Sequence, residues 1–242
     1  MKINLYCSMN VRKLLISTCV ILLPALQLVA QHKPFTFGLN GGFNLSNAHE
    51  TVNYIIGEKK SKPGFQVGFN ADYNLSNAVY IRSGVSLTTK GTIHEDAERW
   101  IGGSNAPITY RKIITNQTYL QLPLLIGYKF SLTSSTRLFI QAGAYIAYGI
   151  GGKEVTRNKT VHSSGETNYE KTSTDTFGET RTGLAKTDFG LSSGVGIEYK
   201  RFALGVNYEP GLINIGEIKE ADTYSKRDYK NRNLSVTVGY RL

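Results

Sequence analysis

Eight stretches of this chain alternate apolar and polar residues with a period of two, and the connections between them alternate between short and long. Successive side chains on a strand point to opposite faces, so each stretch carries one greasy and one polar face. The last is the clearest: Leu234, Val236, Val238, Tyr240 and Leu242 share one face, and Asn233, Ser235, Thr237, Gly239 and Arg241 share the other. Seven more greasy faces precede it, at Phe35–Leu45, Phe65–Leu75, Val79–Leu87, Leu120–Phe130, Leu138–Tyr148, Phe189–Tyr199 and Phe202–Tyr208. Each stretch is roughly 9–12 residues, the length a tilted strand needs to cross a bilayer. One such strand alone reads as a half-buried strand of a soluble sheet. Eight in a row do not, because soluble sandwiches use shorter strands with more frequent turns.

Three connections are short, around Ser76–Asn77, around Ser131–Ser135 and at Lys200–Arg201. Four are long: Ser46–Pro63, Gly91 to about Asn116, Gly151 to about Lys186, and about Asn214–Asn231. Strict alternation predicts an all-β fold, an eight-stranded antiparallel transmembrane up-and-down β-barrel with short periplasmic turns and long external loops. A two-residue turn at Lys200–Arg201 would pair Tyr199 with Phe202 and Ile197 with Leu204. Lys-Arg is not a favoured tight-turn pair, so a slightly longer turn stays open. The stretch Lys153–Thr182, rich in Thr, Ser, Glu and Lys, reads as one long, mobile, solvated loop.

Greasy-face aromatics fall in two zones. Phe35, Phe37, Tyr73, Tyr128, Phe130, Tyr199, Phe202 and Tyr240 lie toward the short turns; Phe43, Phe65, Tyr148, Phe189 and Tyr208 lie toward the long loops. Two aromatic girdles are what a membrane-spanning barrel carries at its two interfaces. A soluble lipocalin-like barrel would put the greasy face inside. The other face is too rich in Gly, Asn, Ser, Gln and charge for a dry core, which favours greasy-side-out.

Arg12 and Lys13 precede an apolar run from Leu14 to Val29, and Ala30 supplies a small residue before Gln31. That pattern predicts a signal peptide over 1–30, export through it to the bacterial outer membrane, and a single barrel domain over 31–242. Either Met1 or Met9 serves as a start. Both cysteines, Cys7 and Cys19, fall in the signal, so the barrel has no thiol chemistry. Losing Lys2, Arg12 and Lys13 lowers the formal net charge from +10 to +7. With no nucleic-acid motif in a secreted chain, that excess suits anionic lipid headgroups, lipopolysaccharide or polysaccharide, not nucleic acid.

Several motifs together resemble an outer-membrane β-barrel family common in Bacteroidetes, the porin-family or PorT-like small barrels. Gly38–Ser46 (GLNGGFNLS) is similar to its opening strand, and Thr88–Gly91 (TTKG) to the Lys-Gly end of its third. Tyr119–Phe130 (YLQLPLLIGYKF) resembles its most recognisable segment. Ala142–Gly152 resembles its Gly-Pro-Tyr strand, with Ala144 where proline is frequent. Gly211–Ile215 matches Gly-Leu-x-Asn-Ile, and Gly239–Leu242 matches the terminal Gly-Tyr-Arg-Phe with Leu for Phe. The resemblance implies an outer-membrane barrel, handled during biogenesis by the barrel-assembly machinery, and supplies no catalytic residues.

An eight-stranded barrel is only wide enough for its own side chains, which argues against a general diffusion pore. Asp72, Arg82, Lys129, Glu198 and Arg241 fall on the inward face near the periplasmic rim. A buried charge is costly unless paired, so these five are expected to form a structural layer of ion pairs plugging the lumen. His32, His49, His94 and His162 are not spaced as metal ligands, and His94-Glu95-Asp96 reads as a solvated loop. No motif brings His94, His162, Asp96, Asp175 and the loop serines together as a catalytic set. The expectation is a non-enzymatic barrel without cofactor, metal or catalytic site, its loops serving as contact surface through Trp100, Tyr54, Tyr110, Tyr169 and Tyr224. Its external ligand is left open. The alternatives are a narrow ion or solute channel, a lipid-modifying enzyme at the outer rim, and, by analogy with the PorT-like label, an accessory role in secretion.

Overall fold

A computed structural model describes residues 34–51, 57–99, 106–178, 183–216 and 228–242. The segment 1–30 expected to be a signal peptide, His32, Tyr54, Trp100 and Tyr224 lie outside the described residues. The described chain forms ten strands: β1 (Phe35–Thr51), β2 (Gly57–Asn74), β3 (Val79–Arg99), β4 (Ile108–Ser131), β5 (Thr136–Gly151), β6 (Lys153–Val161), β7 (Thr167–Asp175), β8 (Thr187–Tyr199), β9 (Phe202–Pro210) and β10 (Asp228–Arg241). Eight of them run β3-β2-β1-β10-β9-β8-β5-β4, and pairing of β3 with β4 closes the ring. Closure leaves no unpaired edge, the condition a sheet must meet in hydrocarbon.

The greasy residues face outward. Leu124, Ile126, Phe43, Val195 and Val238 are among the most exposed large apolar side chains, while Asn44, Ser46, Thr88, Lys90, Gln117 and Asn233 are buried inside. At the short-turn rim the outward rings touch, Phe35 on Tyr73 at 5.1 Å and Phe202 on Tyr240 at 5.3 Å. The Lys200–Arg201 connection is tight, with Tyr199 opposite Phe202 and Ile197 opposite Leu204. Lys200 meets the turn's demand by taking a φ of 54°.

The strands run far past the greasy belt. β3 spans 21 residues and β4 spans 24, so much of what alternation marks as long loop is a continued ladder. The Lys153–Thr182 stretch is corrected likewise: it holds the β6–β7 hairpin, and β6 pairs with the outer end of β4, Ile108 with Val161 through Thr115 with Glu154. Its Thr-rich, alternating residues satisfy their backbone groups by joining an edge that β5 has left.

Glycines on the inward face make room for large rings. A Cβ on Gly127 would overlap the Tyr80 ring, whereas Gly151 has open space around it. Gly127→Ala is expected to destabilise the barrel by about 1–3 kcal/mol in urea titration, and Gly151→Ala to change it little.

Candidate functional site

The lumen is filled in tiers. Nearest the short turns, Asp72 accepts from Arg82 Nε at 2.7 Å and Nη2 at 2.8 Å. Lys129 stands 3.6 Å from Asp72 and 3.0 Å from Glu198. Glu198 also meets Arg241 at 2.6 Å and Arg137 at 3.1 Å. All five residues marked by the inward alternation therefore meet in one network. Arg137 joins them from the start of β5, one residue before the first greasy position, and was not among the expected members. Gln141 ties the layer upward, accepting from Tyr80 Oη at 3.1 Å and Arg82 Nη1 at 3.0 Å and donating to Asn207 at 3.1 Å.

Above this layer, Glu209 accepts from Gln121 at 2.8 Å and Asn233 at 3.1 Å. Higher still, Lys90 and Asp188 are fully buried 3.5 Å apart. Asp188 accepts from Tyr145 Oη at 3.2 Å and Asn231 at 3.0 Å, and the Lys90 ammonium lies 4.1 Å from the Tyr145 ring centre. Cation–π contact and paired charge together offset the cost of burying the ammonium.

The outer mouth is closed by apolar side chains. Leu184 and Ile215 pack with Ala48 and Tyr229, and Phe177 lies against both this group and Tyr119, its ring 5.3 Å away edge-on. Two backbone bonds and one side-chain bond hold the segments inward: Ala185 N donates to Ile215 O at 2.7 Å, Ile215 N to Tyr229 O at 2.9 Å, and the Thr176 hydroxyl to Asn116 O at 2.7 Å. From the opposite side a cavity of about 130 Å³, lined by Arg241, Asp72, Arg82, Gln121 and Glu209 among others, enters from the short-turn rim.

The His94-Glu95-Asp96 segment is not a loop. It lies in β3, where His94 Nε2 faces inward 2.8 Å from Glu50 and Glu95 faces outward. Outside the belt, Lys112 at 2.7 Å and Lys60 at 2.5 Å hold the Glu95 carboxyl down to about 2. His162 sits beside the β6–β7 turn, 3.2 Å from Asn168 Nδ2. Among the described residues no three His, Cys, Asp or Glu side chains converge to hold a metal ion.

A closed eight-stranded ring with an apolar belt outside and a packed polar interior defines a small outer-membrane β-barrel. The family model for the outer membrane protein beta-barrel domain matches residues 29–217. The chain belongs to that family, and its place is the bacterial outer membrane. Among solved structures it is similar to OprG of Pseudomonas aeruginosa, at 14% identity, covering 87% of this chain and 97% of that one with a TM-score of 0.41. Neisserial surface protein A aligns at 14% identity over 85% and 97%, TM-score 0.36. The attachment invasion locus protein Ail of Yersinia pestis aligns at 14% over 86% and 99%, TM-score 0.34. No curated protein matches the chain.

Proposed function

We propose that this barrel is a non-conducting, non-enzymatic protein whose external strand extensions act as a contact surface. The observation that supports it most is the closed outer mouth, where Phe177, Leu184 and Ile215 cover the buried Lys90–Asp188 pair. The cavity from the periplasmic side is lined only as far as the Gln121 and Glu209 tier, and among the described residues the Lys90–Asp188 pair and this seal stand above it. Strands carried well beyond the belt supply a rigid platform, where a structural protein needs only to span. The belt and the basic balance suit outer-membrane lipids and lipopolysaccharide as its surroundings, and the barrel-assembly machinery as its route of insertion. The Tyr119–Phe130 segment supports placing it with the Bacteroidetes porin-like barrels. The test is a planar-bilayer recording of protein refolded to its heat-modifiable form. Silence is expected; steady open-channel current would sink this reading in favour of the narrow channel.

A further inference from the structure

In the lumen Asp72 meets Arg82 and Lys129, Glu198 meets Lys129, Arg137 and Arg241, and Asp188 meets Lys90. Glu209, buried between these pairs, is the exception. Among the described residues its carboxylate has no cation within salt-bridge distance and accepts only from amides, Gln121 Nε2 on one oxygen and Asn233 Nδ2 on the other. A buried charge is costly, and two amide donors do not neutralise it. The neighbouring cations are already committed, Arg82 forked onto Asp72 and Lys90 paired with Asp188. The rim's surplus positive charge sits at Arg137 and Arg241, both partly exposed. Arg241 lies eight residues along β10 from Asn233, about 26 Å of strand, and charge is screened over about 8 Å at physiological salt.

The same tier is short of donors. Gln121 Oε1, Asn233 Oδ1 and Ser235 Oγ are buried and, among the described residues, have no hydrogen-bond partner. Buried polar atoms are rarely left so. Ser235 is the next inward residue of β10 after Asn233, opposite Asn207 where Asn233 is opposite Glu209. Gln121 and Glu209 both line the cavity of about 130 Å³ that enters from the short-turn rim. A full negative charge and three oxygens without donors therefore gather at the inner end of a polar cavity.

An all-oxygen set of this kind suits a hard cation. Charge decides which class. One carboxylate balances one positive charge, whereas a divalent ion would leave an excess in the same buried tier. Among the described residues no three His, Cys, Asp or Glu side chains converge to hold such an ion. The cavity leaves room for a small ion to keep several of its waters. We propose that Glu209, Gln121, Asn233 and Ser235 form a binding site for a hard monovalent cation, sodium or potassium, loaded from the short-turn rim. This goes beyond the reading of the barrel as a contact protein. A site reached from one rim needs no path through the outer mouth, so bilayer current would refute that reading and leave this one standing.

The test is urea unfolding of the refolded full barrel in detergent, read by gel shift, in sodium, potassium or choline chloride at equal ionic strength. Choline is too bulky for the buried tier and serves as the blank. Sodium or potassium is expected to stabilise the barrel saturably over choline. At ten times its dissociation constant the ion lowers the unfolding constant about elevenfold by mass action. Glu209→Gln should lose this dependence, and Glu166→Gln, at the exposed β6–β7 turn, should keep it.

Equal stability in all three salts would overturn the site. So would Glu209→Gln that is weaker than the parent by one factor in every salt, since Glu209 would then be an ordinary hydrogen-bond acceptor. Parent stability that ignores the ion but falls as pH rises through neutrality, and does not in Glu209→Gln, would put a proton in the ion's place and overturn it too. If Glu209→Gln fails to reach the folded band, anomalous scattering from rubidium-soaked crystals of the parent decides. A peak beside the Glu209 carboxylate is expected, and a lumen without one sinks the proposal.

Discussion

Asp188→Ala is expected to cost about 3–5 kcal/mol of barrel stability, because it strands the Lys90 ammonium in a dry interior. Both side chains are fully buried, and Asp188 also gathers the Tyr145 hydroxyl and the Asn231 amide. Urea unfolding in lipid vesicles, followed by gel shift, would read the loss. Breaking a buried pair is far worse than replacing it, so Lys90→Met with Asp188→Leu should recover most of the stability. A single variant as stable as the parent would mean that Lys90 finds water or another partner, and the closed outer lumen would be wrong.

Glu198→Ala should be the second most damaging change, at about 2–3 kcal/mol, since one carboxylate serves Lys129, Arg137 and Arg241. The figure is below that for Asp188 because Arg137 and Arg241 are about a quarter to a third exposed, and water takes up part of their charge. Lys129 is buried and keeps one described carboxylate, Asp72 at 3.6 Å, beside the Tyr80 ring 4.5 Å away. Arg137→Ala, which leaves Glu198 with two partners, should cost under about 1 kcal/mol. Conductance should stay absent in Glu198→Ala, because the seal at Phe177, Leu184 and Ile215 stands above the cluster. Current through this variant would show that the ion layer alone closes the barrel.

The inward network was legible because alternation is rigid. Once Leu234 and Val236 are placed outside, Arg241 must point inside, and the same parity carries Asp72, Arg82, Lys129 and Glu198 inward. Asp188 was legible in principle. It continues the inward series Gly190, Ser192 and Gly194 one step before Phe189, and only the starting point chosen for that stretch hid it. His94 was misread for a related reason: beyond the belt the outward face mixes Ile93 and Ile114 with Lys60, Glu95 and Lys112, so the polarity contrast that marks a strand fades while its hydrogen bonds continue.

What the sequence by itself determined is the spanning ring: the strand count, which face meets lipid, the rim of the short turns and the register at Lys200–Arg201. Each follows from a local period of two read against one apolar solvent. The tertiary structure alone decided the outer closure, the β6–β7 hairpin on β4 and the meeting of Glu209 with Gln121 and Asn233. Phe177, Leu184 and Ile215 meet only because closing the ring brings separate connections over one mouth. A contact between segments distant in the chain leaves no period for a sequence to display.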